Sequence, residues 1–424
     1  MKITLLLGDN TERMPELGSV GVVLSDPPYG LAFMGKEFDT LGDGESQQLW
    51  HHAWLMEAYN LLPSGGLILA FSGTRTFHRL AAAYEDAGFE VIGIKAWGYG
   101  CLTDDAEILT EHGWKPGVDV VKGELVACWD PDTGAIRLDT VEEVTRAPYS
   151  GKMVAFQNDN TDQLLTPNHR VYKKHRIRKV VAGKRVASED GSWTVQPAGE
   201  INRWNNIRLP LAGAHDGPGV GGEDWARLLA WVWTEGGYDN SGSGVRLYQS
   251  SVNQPHVNEI QRLLDLFVPG HSRYRREREY KGRSYTETCW YFSGQMAEQI
   301  RAVMPVKRPT WELLWGMTQA EKHAFCDAAV DGDGSIGQGK RRKDGTLGPG
   351  RVAFYQKNPD DLIWFQTLAH LMNRQGRINF PKRVVGLHMN PATQLQGRHL
   401  RAKVSETYDG DVWCVRVPTG AFLA

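Results

Sequence analysis

The sequence predicts a multidomain fold in which an α/β region, an all-β region and an α+β region follow one another. The length of 424 residues exceeds that of one ordinary domain, which has roughly 100 to 200 residues. The first 100 residues alternate apolar runs with helical patterns, and this alternation stops at Gly98-Tyr99-Gly100. Short β-branched runs separated by turn residues follow, and then a region of mixed helical and strand patterns.

The charge of the chain is unevenly distributed. The net charge is -2, from 48 Lys and Arg against 50 Asp and Glu. Residues 1–100 hold 6 basic and 12 acidic side chains, whereas the rest of the chain holds 42 basic and 38 acidic ones. The near-neutral total therefore does not exclude a nucleic-acid partner for the longer part of the chain.

Cysteine usage and hydropathy exclude several classes of protein. The five cysteines are widely spaced and include no Cys-x-x-Cys pair, so neither a disulfide framework nor a zinc cluster is indicated. The longest apolar stretches are shorter than the ~20 residues of a membrane span, and the N-terminus lacks the pattern of a signal peptide. We expect no membrane partner and a cytoplasmic location, in a bacterial or phage-encoded protein.

The first 100 residues predict part of a parallel α/β sheet. Strand-like runs cover residues 3–7, 20–24, 67–71 and 90–97, and helical patterns cover residues 47–62 and 74–87. Because the pattern stops at residue 100, the predicted sheet is interrupted in the middle of its fold.

A polar motif follows the second predicted strand. Ser25-Asp26-Pro27-Pro28-Tyr29 lies at the carboxyl end of that strand, where open α/β sheets bind ligands. Asp26 and the Pro27 carbonyl are suited to accept the amino hydrogens of a flipped base, while Tyr29 stacks on its ring. The alternative is a plain Pro-Pro turn after a strand.

With Gly8-Asp9 and the segment 71–76, this motif makes residues 1–100 similar to the amino-methylating DNA methyltransferases, which act on adenine N6 or cytosine N4. The resemblance implies a Rossmann-like fold, S-adenosylmethionine as cofactor, and Asp26-Pro27-Pro28-Tyr29 as the base site, with Asp before Pro-Pro-Tyr favouring adenine. The family places its glycine-rich cofactor loop near the C-terminus in this arrangement, and the sequence has no convincing copy of that loop. Residues 1–100 therefore match an N-terminal half, and cofactor-binding residues stay unassigned.

A second motif begins where the α/β pattern ends. Cys101 follows Gly100, and a thiolate beside an unhindered glycine carbonyl is suited to an N-to-S acyl shift. Thr166-Pro167-Asn168-His169 offers His169 as a general acid and Thr166 and Asn168 as hydrogen-bond donors to the scissile amide or oxyanion. Taken singly, a lone Cys is more often a core residue and a lone His a structural one.

Three ordered segments resemble the splicing blocks of inteins, at residues 101–110, 164–172 and 412–420. The resemblance implies an all-β Hint horseshoe formed by residues 101–212 and 383–424, with Cys414 in the splicing site. Inteins end in Asn followed by Ser, Thr or Cys, whereas this chain stops at Ala424. We therefore expect splicing to require a downstream or trans C-terminal fragment.

Two nine-residue segments, 228–236 and 326–334, each end in an acidic residue followed by Gly after a helical pattern. Two helices packed on their small residues would bring Glu235 and Asp333 together, and paired carboxylates can hold Mg²⁺ for phosphodiester cleavage. The alternative is two amphipathic helices with acidic, glycine-rich C-termini.

The two segments resemble the paired motifs of LAGLIDADG homing endonucleases. The resemblance implies an α+β nuclease over residues 213–382, double-stranded DNA as partner, Mg²⁺ as cofactor, and Glu235 and Asp333 as metal ligands. It also gives Lys307 the position of a helper lysine.

Basic clusters follow each acid-Gly segment by a strand-like interval, where this family places its DNA-reading strands. Arg and Lys there would neutralise phosphates and reach base edges. The candidate DNA-binding residues are Arg273, Arg275, Arg276, Arg278, Lys340, Arg341 and Arg342.

Three functions fit these motifs. The leading interpretation is a DNA methyltransferase precursor interrupted after Gly100 by an intein that carries a homing endonuclease. The second is a continuous methyltransferase in which residues 101–424 form a large target-recognition insertion. The third is a DNA-binding module on a decayed intein scaffold that neither splices nor cuts.

Overall fold

The computed structural model describes residues 3–31, 37–73, 75–93, 100–158, 160–177, 180–181, 184–185, 189–201, 207–239, 243–280, 282–337, 350–395 and 407–424. The chain forms two compact units, Met1–Trp97 and Gly98–Ala424. None of the described helices is long and apolar enough to cross a membrane.

The first unit contains a parallel pair of strands with helices packed on one face. Its elements are α1 (Asn10–Arg13), β1 (Val22–Ser25), α2 (Gly44–Leu61), β2 (Leu67–Ala70) and α3 (Phe77–Asp86). Ser25 lies opposite Ala70, so the segments that follow β1 and β2 leave the same edge of the sheet. Val23 and Ile68 pack against buried residues of α2 and α3, including Trp54 and Leu80.

Two predicted strands of this unit are not observed. Residues 3–7 are not a strand: Leu5 and Leu7 are 92% and 93% exposed. Apolar alternation alone does not make a strand without a neighbour to pair with. Residues 90–93 are also not a strand, and the rest of that prediction lies outside the described residues.

The second unit begins with the predicted all-β region. Its strands are β3 (Leu102–Thr103), β4 (Glu107–Thr110), β5 (Gly113–Pro116), β6 (Leu125–Trp129), β7 (Ile136–Thr140), β8 (Glu143–Lys152), β9 (Val154–Asn158), β10 (Thr161–Leu165), β11 (Arg170–Ile177), β12 (Val180–Val181), β13 (Lys184–Arg185), β14 (Glu189–Asp190), β15 (Thr194–Pro197) and β16 (Ile207–Pro210). Helical structure in the described part of this region is limited to single 3-10 turns.

Residues 223–388 form a duplicated arrangement of helices and strands. Its elements are α4 (Glu223–Glu235), β17 (Gly236–Tyr238), β18 (Gly244–Ser250), α5 (Gln254–Phe267), β19 (Ser272–Tyr280), β20 (Arg283–Ser293), α6 (Gln295–Val303), α7 (Trp311–Gly316), α8 (Gln319–Asp333), β21 (Gly334–Gly337), β22 (Arg351–Tyr355), α9 (Pro359–Leu371), β23 (Gln375–Asn379) and β24 (Val384–His388). The two sheets have the orders β17-β18-β20-β19 and β21-β22-β24-β23, which are the same topology.

The last strands return to the all-β region. β25 (Ala392–Leu395) pairs with β16, and β26 (Thr407–Arg416) pairs with β3 and β8. The resulting sheets have the orders β8-β26-β3-β10-β9 and β14-β11-β16-β25. The all-β region is therefore built from both ends of the second unit, on either side of the duplicated region.

One hydrophobic cluster extends from the duplicated region into the all-β region. Leu109, Trp129 and Ile136 of the all-β region are buried in the same cluster as residues of α4, α8 and α9. The indole Nε1 of Trp114 donates a hydrogen bond to Thr367 Oγ1 at 3.0 Å. The sequence predicts separate domains at 101–212 and 213–382. The two regions share this cluster, while a second buried cluster, which includes Ile108, Phe156 and Trp413, lies within the all-β region alone.

Helices α4 and α8 pack closely through their small residues. Ala230 and Ala328 are fully buried. A Cβ added to Gly332 would lie 2.3 Å from Thr234 Oγ1, so a side chain at Gly332 would force the helices apart. This packing brings the C-terminal ends of α4 and α8 side by side.

The N-terminal ends of the same helices share one carboxylate. Glu321 accepts backbone N–H hydrogen bonds from Val220, Gly221 and Gly222, which precede α4, and from Thr318, the N-cap of α8. Burial alone would raise the pKa of Glu321, but the hydrogen bonds outweigh it and hold the pKa below its usual value. One side chain therefore caps two helices.

Glu321→Ala should lower the free energy of unfolding by about 2 to 4 kcal/mol, because several backbone N–H groups lose a charged acceptor. Equilibrium urea unfolding followed by Trp fluorescence measures this change. Glu312→Ala, which removes an exposed carboxylate of α7, is the matched control and should change the free energy by less than about 0.5 kcal/mol. Equal losses for the two variants would contradict the shared cap.

Candidate functional site

The predicted base site lies at the carboxyl end of β1. The Tyr29 hydroxyl donates a hydrogen bond to Asp26 Oδ1 at 2.7 Å, Pro27 is buried, and Asp26 is exposed. Burial, with Asp26 beside it, raises the pKa of Tyr29 to about 12, so the hydroxyl keeps its proton. The carboxylate of Asp26 is thus accessible to a polar group at the same sheet edge as the end of β2.

Two residues that the sequence reasoning missed hold this loop in place. The buried carboxylate of Asp39 accepts backbone hydrogen bonds from Tyr29 at 2.6 Å and from Gly30 at 2.8 Å. Gln47 Nε2 donates to the carbonyl of Gly30 at 3.1 Å, and Gly30 has a φ of +69° that favours glycine. The sequence carries no local signal for either role, because both depend on how the chain returns to the loop.

The peptide around Cys101 is clasped by the Thr166 segment. The Cys101 N–H donates to Thr166 Oγ1 at 2.9 Å, and the Thr166 N–H donates to the Cys101 carbonyl at 3.0 Å. Both residues are buried, at 4% and 2% exposure. The structure thus brings together two of the predicted splicing residues that are 65 positions apart.

His169 lies against the residue that precedes Cys101. A Cβ added to Gly100 would lie 2.2 Å from His169 Cα and 3.0 Å from the Asn168 carbonyl oxygen, so only glycine fits there. Burial lowers the pKa of His169 to about 4, and a hydrogen bond with the Gly100 backbone acts the other way, as donation to a carbonyl would. At neutral pH the ring is uncharged and can donate a hydrogen bond rather than act as an imidazolium acid. The Asn168 residue is exposed.

The structure also places Cys414 beside Cys101. β26 and β3 pair with Trp413 opposite Leu102, so Cys414 follows in register opposite Cys101. Both cysteines belong to a small apolar cluster that includes Met153. The three sequence segments predicted for the splicing site therefore meet in the same place.

Glu235 and Asp333 end the paired helices, as predicted, and they interact electrostatically. Burial first, and the charge of Asp333 second, raise the pKa of Glu235 to about 7. Burial also raises the pKa of Asp333, partly offset by a hydrogen bond from Gln356 Nε2 at 2.7 Å and by the charge of Lys307. Two acids held together in a half-buried position favour a bound cation.

Lys307 lies within electrostatic range of both acids. Burial lowers the pKa of Lys307, while the charges of Asp333 and Glu235 act in the opposite direction. Its backbone has a φ of +57°, a conformation that side-chain-bearing residues rarely adopt. The backbone is therefore strained at Lys307, the residue whose ammonium group lies near the acid pair.

The acid pair fits a hard cation such as Mg²⁺, since it offers carboxylate oxygens at the contact of two helix ends. The described residues contain no group of three or more His, Cys, Asp or Glu side chains arranged to hold a metal. A cation at Glu235 and Asp333 would therefore complete its shell with water and substrate oxygens, as Mg²⁺ commonly does.

Gln249 and Gln356 are equivalent residues of the duplicated halves, and the sequence reasoning missed both. Gly236 pairs with Leu247 and Gly334 pairs with Phe354, so each Gln lies two residues beyond the equivalent position of its strand pair. Gln249 hydrogen-bonds Glu235, as Gln356 does Asp333. The repeated Tyr-Gln dipeptide, at 248–249 and 355–356, was the available signal.

The predicted arginines divide between the two faces of the first sheet. Arg276 lies over the Tyr248 ring at 4.7 Å and pairs with Glu287, which Arg278 also approaches at 3.7 Å. Arg273 lies over Trp290, whose ring is in the core on the opposite face.

Strand alternation puts Arg275 on the side of Arg273. Arg246, which the sequence motifs did not indicate, lies over Tyr291 and shares the face of Arg276. Lys340, Arg341 and Arg342 lie outside the described residues.

The corresponding face of the second sheet carries its own basic group. Arg351 and Arg377 each lie within electrostatic range of His388, since burial and then the two arginine charges lower the pKa of His388. Both duplicated halves therefore present cationic side chains on the same sheet face.

Comparisons with known proteins give short or distant similarities. No protein-family model matches the sequence. A stretch of 120 residues is 38% identical to the ATP-dependent Clp protease proteolytic subunit of Chlamydomonas moewusii, over 27% of this chain and 12% of that protein. A stretch of 75 residues is 32% identical to YubD of Escherichia coli (strain K12), which is named as a methylase, over 18% of this chain and 33% of that protein. The chain thus spans at most a third of the length of these two relatives.

Among solved structures, the homing endonuclease I-WcaI bound to its DNA recognition sequence is similar at a TM-score of 0.29 and 13% identity. The similarity covers 39% of this chain and 76% of that one. A likeness at this score supports no functional argument.

The acid pair predicts a pH-dependent stability. The folded pKa of Glu235, about 7, lies above its ordinary value of 4.5, so its protonation stabilises the fold below pH 4.5 and that contribution is lost as the pH rises through 7. Glu235→Gln, which stays neutral, should therefore be more stable than the unchanged chain by roughly 2 to 3 kcal/mol at about pH 8, and equal to it near pH 4.

Urea unfolding at the two pH values measures this difference. Glu298→Gln, on the exposed side of α6, is the matched control and should show no pH-dependent gain. A gain for Glu235→Gln that is the same at both pH values would contradict the raised pKa.

Proposed function

We propose that the chain is part of a DNA amino-methyltransferase precursor, interrupted after Gly100 by an intein that carries a LAGLIDADG-type homing endonuclease. In this proposal, residues 101–212 and 383–424 form the Hint-type splicing scaffold and residues 213–382 form the nuclease. The observation that carries it is the clasp of the Gly100-Cys101 peptide by Thr166 and His169, close to the boundary between the two compact units.

In the proposed first step of splicing, the Cys101 thiolate attacks the carbonyl carbon of Gly100. A carbon–sulfur bond forms, the carbon–nitrogen bond between the two residues breaks, and the released amine of Cys101 takes up a proton. Thr166 fixes the position of Cys101 through its hydroxyl and its N–H. The uncharged ring of His169 lies against Gly100, where a donated hydrogen bond withdraws electron density from the carbonyl.

In the proposed nuclease, Glu235 and Asp333 hold Mg²⁺ at the ends of the paired helices. The cation would supply activation of water and stabilisation of the leaving oxygen during phosphodiester cleavage. Gln249 and Gln356 orient the two carboxylates, and Lys307 adds positive charge where a phosphate would enter. Arg246, Arg276 and the His388 group support the sheet faces as the DNA-binding surface.

In the proposed methyltransferase part, Asp26 and the Pro27 carbonyl accept hydrogen bonds from the base amino group, and Tyr29 stacks on the base. The similarity to YubD, which is named as a methylase, supports a methyltransferase part in this chain. So does the first unit, in which Leu24 and Leu69 are at least half exposed although parallel strands are normally covered on both faces. S-adenosylmethionine belongs to the completed enzyme, and no described residue is assigned to it.

Hydroxylamine or a small thiol should cleave the chain between Gly100 and Cys101, and Cys101→Ala should abolish that cleavage. Gly100→Ala should slow it by at least about 10-fold, because its Cβ would collide with His169. Gel analysis and the intact mass of the 1–100 fragment measure the rate. Cys326→Ala, a buried cysteine of α8, is the control that should cleave normally. A stable unchanged chain would favour the continuous methyltransferase instead.

The unchanged chain should cut supercoiled DNA that carries the uninterrupted coding sequence, in a Mg²⁺-dependent manner. Asp333→Asn and Glu235→Gln should each lower the rate by about 100-fold or more, since each removes a charged oxygen ligand. Asp265→Asn, whose side chain is 62% exposed, should cut normally. Cutting that survives Asp333→Asn would remove Asp333 from the catalytic site, and binding without cutting by the unchanged chain would favour the DNA-binding module.

A further inference from the structure

The side chains of Cys101 and Cys414 share one face of two adjacent strands. β26 and β3 run antiparallel with Trp413 opposite Leu102. Continuing this register by one residue, to the residue that precedes β3, sets Cys414 opposite Cys101. Directly opposite residues of antiparallel strands have Cα atoms about 4.5 to 5.5 Å apart. This spacing falls within the range of about 4.4 to 6.8 Å that a disulfide spans.

The surroundings of the two thiols are apolar and closed on one side. Cys101 is buried and Cys414 is half-buried, and both contact the cluster that contains Met153 and Val412. Burial, and then the charge of a Cys101 thiolate, raise the pKa of Cys414 to about 12, which is a second sign that the two sulfurs are close. Cys128, Cys289 and Cys326 are buried in other parts of the second unit.

We propose that Cys101 and Cys414 form a redox-sensitive pair, which a disulfide oxidant converts into a cystine that removes the Cys101 nucleophile. The inhibition of splicing rests on the proposed function, whereas the disulfide itself does not. Because β3 and β26 are already paired, the new bond would leave the strand register unchanged.

The oxidation uses oxidised glutathione as the oxidant. The half-buried Cys414 reaches it first: the small thiolate fraction that its raised pKa allows attacks one glutathione sulfur, a mixed disulfide forms, and glutathione leaves as a thiolate. Cys101 then attacks the Cys414 sulfur and releases the second glutathione thiolate, and the two protons lost by the cysteines pass to the two glutathione thiolates. Two thiols of the protein are oxidised and one glutathione disulfide is reduced.

The test uses the full chain, treated with oxidised glutathione, alkylated and mapped by peptide mass spectrometry. We expect a linked pair of peptides containing Cys101 and Cys414, which is absent in Cys414→Ser and still present in Cys326→Ala. Glutathione adducts on both cysteines without a link, or a link to another cysteine, would overturn the proposed site.

The functional consequence is measured on the same samples with hydroxylamine. The oxidised chain should be cleaved at Gly100 at least about 10-fold more slowly than the chain reduced with a phosphine, and reduction should restore the rate. A link that leaves the cleavage rate unchanged would overturn the inhibitory role. A reduced chain that resists hydroxylamine, although the link forms on oxidation, would overturn the splicing function and leave the disulfide site standing.

Discussion

The packing of α4 against α8 is the constraint on which the second unit depends. At the N-terminal ends, the Glu321 carboxylate caps both helices. At the C-terminal ends, Gly332 allows Thr234 to approach so closely that any side chain would intrude. These two contacts hold the helices together at both ends, and Glu235 and Asp333 lie at the C-terminal ends. The packing that stabilises the helix pair therefore also brings the two acids together.

The position of Glu235 and Asp333 at the ends of the helix pair destabilises the fold when both acids are ionised. Burial of the helix end, and then the neighbouring charge of Asp333, raise the pKa of Glu235 to about 7. The strained backbone of Lys307 brings an ammonium group to the same place. The buried acids and the strained Lys307 backbone destabilise the fold locally and contribute nothing to core packing. This pattern is expected at a functional site. Close backbone approach recurs at Gly100, where His169 leaves room for glycine alone.

Local motifs in the sequence predicted which residues of these sites lie together better than they predicted the residues that support them. The acid-Gly segments predicted that Glu235 and Asp333 would meet, because a helix and its terminal acid are encoded together. The segments around Cys101, His169 and Cys414 also meet, although more than 200 residues separate the last two. The strand predicted at residues 3–7 is wrong, since a strand needs a neighbour that a local pattern does not reveal.

Supporting residues depend on contacts between distant segments, and the sequence carried little signal for them. From the sequence, Glu321 is an ordinary capping residue of α8. Its hydrogen bonds to the residues before α4 form only because the two helices pack together. Asp39 holds the loop after β1 through a chain reversal that no local pattern encodes. Gln249 and Gln356 are the exception, because the repeated Tyr-Gln dipeptide marks them once the duplication is known.

Hydrogen exchange of Gly332→Val, compared segment by segment with the unchanged chain, tests most directly whether the helix pair organises the whole second unit. Because Leu109 and Trp129 share the core of α4 and α8, the account predicts faster exchange in both helices and also in β4 and β6. Gly337→Val, where a Cβ makes an ordinary van der Waals contact, is the matched control and should leave these segments protected. Faster exchange confined to residues 213–382, with β4 and β6 unchanged, would contradict a cluster that couples the two regions.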